Sequence, residues 1–326
     1  VNNNQKINRK YLEPLMNWCQ EHPLSEFGVI YDNERYFADY LGVKTFKFVN
    51  SGTSALDLIM KRISIDRPKP LIYGPSFCHV SWINVCEWND FEYYFVDVKE
   101  DTLSIDPVKL KEMIVEKGVP DIVVMVDMGG YVGDDTLTVR EICDSHGIIL
   151  VEDAANAFGQ QYKGYKAGTI GDFSFFSFSN PKLLTCGEGG AIVCNGDDFN
   201  DSFEEMIYQG GWYKYGKSRR TNGLNYIMSN WMTQLLRYQL DDIETIQKER
   251  HDQFLVYSDK FNLFRYDSDN KYYSPSYYCY RQKGVSKRIF ERMTKLEMYR
   301  YKNHDPECKV GQLLEDELVY LYMEYK

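Results

Sequence analysis

The sequence predicts an α/β fold, with a large, mostly parallel sheet covered by helices on both faces and a smaller α+β unit after it. Three observations carry this expectation. Short β-rich runs alternate with helical patterns from about residue 45 to 195. A long helical pattern over 229–260 then separates that stretch from a tail of short strand-like and helix-like pieces. The length, 326 residues, suits a large domain plus a smaller one, and 44% apolar with 26% charged residues is a globular composition.

The β-rich runs are TFKFV at 45–49, FEYYFVDV at 91–98, DIVVMVD at 121–127 and IILVED at 148–153. Helical patterns cover 53–63, 77–88, 106–117 and 136–146 between and around them. Two further strands follow, FSFFSF at 173–178 and GAIVCN at 190–195. The 229–260 pattern carries Leu235, Leu236, Leu240, Ile243 and Ile246 on an otherwise polar helix, as a connector between domains does. In the tail, YYCY at 277–280 reads as a strand and SKRIFERM at 286–293 as a helix. The expected division is therefore 1–228 as the large domain and 229–326 as connector helix and small domain.

The net charge of −10 disfavours nucleic acid and anionic membrane as partners, so any anionic ligand must be held locally. No 18-residue apolar run and no signal-like apolar core occur in the sequence, and the eight cysteines are scattered without a CxxC pair. The expectation is a cytoplasmic protein whose cysteines are buried small hydrophobes, with no metal site.

Three segments carry chemistry. Ser51-Gly52-Thr53-Ser54-Ala55-Leu56 lies between a strand and a helix, where free N–H groups and small residues make an anion cup. Asp153, in Val151-Glu152-Asp153-Ala154-Ala155, ends a strand of an open sheet, the usual place for a binding site. Lys182, in Ser177-Phe178-Ser179-Asn180-Pro181-Lys182, precedes the glycine-rich turn Gly187-Glu188-Gly189-Gly190. Taken singly, each has an ordinary reading: a helix cap, a strand-end acid and a solvated loop lysine. Together they are the parts of a pyridoxal-phosphate site: a phosphate cup, a carboxylate for the pyridine nitrogen and a lysine amine for the aldehyde.

The chain resembles the fold-type-I sugar aminotransferases of the DegT/DnrJ/StrS type. The resemblance runs in order through SGTSALDL at 51–58, GPSFCHVSWINV at 74–85, FVDVKEDTLSID at 95–106, VDMGG at 126–130, the long block at 151–193, and Asn225-Tyr226 with Met228-Ser229. It implies pyridoxal or pyridoxamine phosphate as cofactor, with Lys182 holding it covalently and Asp153 on the pyridine nitrogen. Gly52, Thr53 and Ser177 would hold the phosphate, and Asn225 would reach the phosphate of a neighbouring subunit in a homodimer. His79 stands where the family stacks an aromatic ring, and Asn156 where a Gln or His contacts the ring hydroxyl. Three departures stand out: Asn156 is shorter than Gln, Ile227 replaces a usual Arg, and the stretch after Arg250 is some tens of residues shorter than the family pattern.

The implied reaction moves an amino group from glutamate to a nucleotide-linked keto sugar, with a 4-keto-6-deoxy sugar the favoured type, in deoxyamino sugar biosynthesis. One alternative is a sugar dehydratase using pyridoxamine phosphate, whose relatives carry histidine at the lysine position. Another is a non-catalytic protein retaining the fold. Lys217, Arg219 and Arg220, in the most basic short run of an acidic chain, are candidate contacts for the sugar nucleotide's diphosphate, or an ordinary solvated loop.

Overall fold

The structure is a computed structural model and describes residues 7–23, 27–180, 182–196, 199–211, 223–258, 277–281, 308–309 and 318–322. Its centre is a seven-stranded sheet in the order β1-β9-β8-β5-β4-β2-β3. The strands are β1 Thr45–Val49, β2 Leu71–Pro75, β3 Glu92–Val96, β4 Ile122–Val126, β5 Ile149–Asp153, β8 Phe173–Ser177 and β9 Gly190–Cys194. The pairs from β3 across to β8 are parallel, whereas β9 runs antiparallel to both β8 and β1. The expected mostly parallel sheet is thus present, with one reversed strand near an edge. Two two-stranded pairs accompany it: β6 Gln161–Tyr162 with β7 Tyr165–Lys166, and β10 Tyr277–Arg281 with β11 Leu318–Tyr322.

Helices α1 Arg9–Glu21, α2 Phe27–Leu41, α3 Gly52–Asp66, α4 Ser81–Trp88, α5 Pro107–Lys117, α6 Asp134–His146, α7 Phe199–Ile207, α8 Asn230–Asp241 and α9 Ile243–Ser258 surround the sheet. Their ends follow local chemistry. Ser51 caps α3 by accepting from the Ser54 N–H at 3.0 Å. Asp106 caps α5, whose first residue is proline, and Gly147 ends α6 in the left-handed conformation. β1, β4 and β9 are buried along their whole length, as strands covered on both faces must be. Burial separates into two apolar clusters on opposite faces of the sheet. One holds Phe37, Phe48, Phe176 and Leu236, the other Leu56, Trp82, Phe175 and Phe203. Along β8, Phe175 and Phe176 fall on opposite sides, the two-residue period of a strand.

Lys47 is the polar exception in β1. It is buried and paired at 2.9 Å with Glu34 of α2, which also accepts from the Phe48 N–H at 3.1 Å. A buried charge survives only with such partners.

The connector expected as one helix is two. The chain breaks at Asp242, whose N–H returns to Gln239 and whose carbonyl accepts from Ile246 to start the next helix. The Asp242 carboxylate is taken by Lys10 and, at 2.7 Å, by the Tyr11 hydroxyl. An acid facing a partner on α1 fixes the bend, and helical periodicity alone does not register it. The helix expected from 77 starts instead at Ser81, because the preceding loop carries His79, whose Nδ1 accepts the Ser81 N–H at 3.3 Å. β2, the N-terminal helices and α7 are further elements of the fold. β2 reads poorly in the sequence because its five residues, LIYGP, contain both glycine and proline. The helix-like piece at 286–293 lies outside the described residues.

Candidate active site

Strand register decides what meets at the site. β1, β2, β4, β5 and β8 share one direction, so their C-terminal ends lie along one edge of the sheet. At that edge Gly190 sits between Val49 of β1 and Ser177 of β8, and Asp153 of β5 is opposite Phe175 of β8. The three sequence segments therefore converge, as an open α/β sheet brings strand ends together.

The cup is tight. A methyl carbon on Gly52 would lie 3.0 Å from the Ser177 Cβ, and one on Gly190 would lie 2.4 Å from the Ser51 carbonyl carbon and 2.5 Å from the Gly52 nitrogen. Glycine is required at 190 by close backbone approach, and Gly52 brings the start of α3 against Ser177. The Ser177 hydroxyl lies 3.1 Å from that of Ser179. Thr53 is exposed at the first turn of α3. N–H groups of a helix start, small residues and hydroxyls form an anion site.

Three neighbouring acids have three fates. Glu152 is fully buried and accepts from the N–H groups of Gly168 at 2.6 Å, Ile170 at 2.8 Å and Gly171 at 2.8 Å, and from the Ser174 hydroxyl at 3.0 Å. It fastens the 168–171 turn beneath the sheet edge. Asp127, at the end of β4, is buried. Loss of water first, then the negative Glu152 and Asp153, hold its carboxyl well above the usual range. Asp153 faces Lys182. It is 5% exposed and accepts from the Ala155 N–H at 3.0 Å. Burial pushes it up to about 6, while the Ala155 bond and the Lys182 charge pull the other way. It is still largely ionised at neutral pH, and a cation placed against it would hold it so.

Lys182 lies in the loop between β8 and β9, its N–H bonded to the Ser179 carbonyl at 2.9 Å. Its Nζ donates to the Asn156 side-chain oxygen at 2.5 Å. Loss of water lowers the amine to about 8. Asp153 opposes that shift, and the charge of Arg250 adds to it. A lysine in this state is a competent nucleophile and proton carrier near neutral pH. His79 is exposed on its loop. The protein around the ring and then the Lys182 charge hold it below the ordinary imidazole range. With Nδ1 accepting from Ser81, the neutral ring carries its proton on Nε2.

Asn225 is exposed, bridges to Tyr208, and accepts from the Ile227 N–H at 3.2 Å. The next carbonyl, of Tyr226, accepts the Asn50 N–H at 2.9 Å, which pins this segment beside the cup of its own chain. Lys217, Arg219 and Arg220 lie outside the described residues. Sequence reasoning missed Arg250, which is 1% exposed and donates to the Lys182 carbonyl at 3.0 Å. A signal existed: Ile243, Ile246, Arg250 and Phe254 follow helical spacing, so the arginine stands in an apolar stripe.

The residues fit pyridoxal phosphate: a cup that two added methyl groups would fill, a buried acid at a strand end, and a lysine whose amine burial lowers to about 8. Comparison with known proteins addresses the family and the fold. The sequence profile of the DegT/DnrJ/EryC1/StrS aminotransferase family matches residues 18–292. The chain is 31% identical over 252 residues to a GDP-perosamine synthase of Vibrio cholerae, covering 76% of this chain and 66% of that protein, which is less than two thirds of its length. In structure it is similar to Helicobacter pylori PseC, an aminotransferase involved in the biosynthesis of pseudoaminic acid. The TM-score is 0.81 with 20% identity, covering 97% of this chain and 91% of that one. It is also similar to an E. coli GDP-4-keto-6-deoxy-D-mannose-3-dehydratase with bound hydrated PLP, with a TM-score of 0.80 and 17% identity over 97% and 93% of the two chains. From the profile match over most of its length, the chain belongs to the DegT/DnrJ/EryC1/StrS aminotransferase family.

Proposed function

We propose that this protein is an aminotransferase that uses pyridoxal phosphate to move an amino group from glutamate to a nucleotide-linked keto sugar. The observation that carries the reading is the convergence of Lys182, Asp153 and the Gly52–Ser177 cup at one sheet edge. The named relatives support the substrate class, since one is a GDP-perosamine synthase and another a UDP-linked amino sugar transaminase of Campylobacter jejuni.

When bound, pyridoxal phosphate supplies an electron-withdrawing ring that carries the amino group between donor and acceptor. Each protein group then has a task. Gly52, Thr53 and Ser177 orient the phosphate at the start of α3. Asp153 keeps a positive charge on the pyridine nitrogen. Asn156 meets the ring hydroxyl, directly or through a water, and in the free chain it holds the Lys182 amine in place. His79, neutral, offers a flat face without adding charge. Lys182 holds the cofactor and, once released, takes up and returns a proton at Nζ. Asn225 completes a neighbouring subunit's phosphate site in a homodimer. Lys217, Arg219 and Arg220 meet the diphosphate. The favoured acceptor is a 4-keto-6-deoxy sugar, and the favoured compartment is the cytoplasm. No helix among the described residues is long and apolar enough to cross a membrane.

The dehydratase reading shares this fold, as the E. coli relative illustrates. Lys182 is what favours transamination over it, because the dehydratases of this fold carry histidine there. The experiment is to supply glutamate and a panel of nucleotide keto sugars and read products by mass. Glutamate-dependent amino sugar formation is the expected result. Loss of a sugar hydroxyl without amination would replace this reading with the dehydratase one, and no product from any acceptor would leave the fold without this activity.

A further inference from the structure

Helix α9 does more than link two parts of the chain. Its buried face presents Ile243 and Ile246, then Arg250, then Phe254, to the large domain. One turn before Arg250, the Gln247 amide donates to the Gly159 carbonyl at 2.9 Å, gripping the turn that also carries Asn156. Arg250 donates to the Lys182 carbonyl at 3.0 Å. Farther along the same loop, Gln239 of α8 takes both backbone groups of Thr185, each at 2.9 Å. The lysine loop is therefore strapped from outside the sheet by polar side chains of two helices.

Arg250 is a costly choice for such a strap. A guanidinium that is 1% exposed gives up its hydration, and a neutral amide such as Gln239 already shows how a carbonyl can be held without charge. What the arginine adds is a permanent positive charge next to a lysine. We propose that Arg250 is a positioning residue for Lys182, fixing its backbone through the carbonyl and keeping a second positive charge buried beside the amine. The charge disfavours the ammonium form, in the same direction as the loss of water. Other titratable groups interacting with the amine are Asp153, which opposes this effect, and His79, which is neutral. Arg250 thus offsets part of the effect of Asp153. The acid is available to a cofactor ring, while the amine beside it stays reactive near neutral pH.

The proposal rests on Lys182 being the cofactor lysine, but its test need not. Cofactor-free wild type, R250K and R250M are trace-acetylated across a pH series, and the Lys182 peptide is quantified by mass spectrometry. In R250M the Lys182 midpoint rises by roughly one pH unit, and in R250K it stays near the wild-type value. At pH 7 covalent capture of pyridoxal phosphate by R250M then slows by about tenfold, the kinetic face of the same shift. A folded R250M with the wild-type midpoint overturns the proposal, as does R250K moving as far as R250M. Should R250M not fold, R250K decides. It keeps the charge but loses the planar fork, so its capture of pyridoxal phosphate slows several-fold at an unchanged midpoint. Capture as fast as wild type overturns the positioning role. If wild-type Lys182 captures no cofactor, the functional reading fails separately, and the acetylation series still judges Arg250.

Discussion

At the scale of single residues, the site runs on unequal treatment of similar groups. Glu152, Asp127 and Asp153 are close together, yet four donors satisfy the first, burial raises the carboxyl of the second well above its usual range, and the third is left to face Lys182. Under the proposed function, Asp153 is therefore a stability cost kept for the cofactor. Its folded pKa is raised to about 6, so the folded state binds the proton more tightly than the unfolded state. Stability then falls as pH rises from the ordinary carboxylate range through about 6, and the cost is fully present above that. Asp153→Asn removes the buried charge. The cofactor-free variant is expected to be more stable than wild type at pH 7.5 by on the order of 1–3 kcal/mol, with the gap closing below pH 5. The same variant loses most transaminase activity, because an amide cannot keep the pyridine nitrogen charged. Denaturant melts at the two pH values and a rate measurement check both halves. A variant with normal rate would reduce Asp153 to a structural strand-end acid.

At the scale of elements, the site depends on how closely the start of α3 meets the ends of β8 and β9. Gly190→Ala puts a methyl carbon against the Ser51–Gly52 backbone, which cannot step aside like a flexible side chain. The expected cost is about 1–3 kcal/mol of stability, together with weaker retention of pyridoxal phosphate, measurable by denaturation and by dialysis of the loaded enzyme. Unchanged cofactor retention would separate this contact from the phosphate cup. Much of this level is legible in the sequence. Ser51-Gly52-Thr53, Asp153 and Lys182 stand at strand-to-helix or strand-to-turn junctions that hydrophobic periodicity marks. What is not legible depends mostly on contacts distant in sequence, and in one case on a local side-chain bond that periodicity does not register. The break at Asp242 comes from Lys10 and Tyr11, more than 200 positions away. The late start of α4 comes from a single bond to a histidine ring. Arg250 was hidden because a lone arginine in a connector helix reads as solvated until its carbonyl partner is known.

At the scale of the whole molecule, the proposed function requires an acidic chain of net charge −10 to gather an anionic cofactor and an anionic sugar nucleotide. In that reading the cup serves the first with helix-end N–H groups and hydroxyls, and the run from Tyr213 to Arg220 is the proposed means for the second. Arg219→Ala with Arg220→Ala is expected to raise KM for the sugar nucleotide and leave the glutamate half-reaction nearly unchanged. Following the two half-reactions separately by cofactor absorbance checks this. Equal damage to both would mean a folding or dimer defect, and damage to neither would move the diphosphate site elsewhere. The expectations about activity and cofactor retention depend on Lys182 holding the cofactor, and one measurement on the intact loaded enzyme addresses that directly. Borohydride reduction followed by proteolysis and mass mapping should find pyridoxyl phosphate on the peptide carrying Lys182, and none after the same treatment of Lys182→Arg. Label on a different lysine, or none on the wild-type protein, would contradict the account.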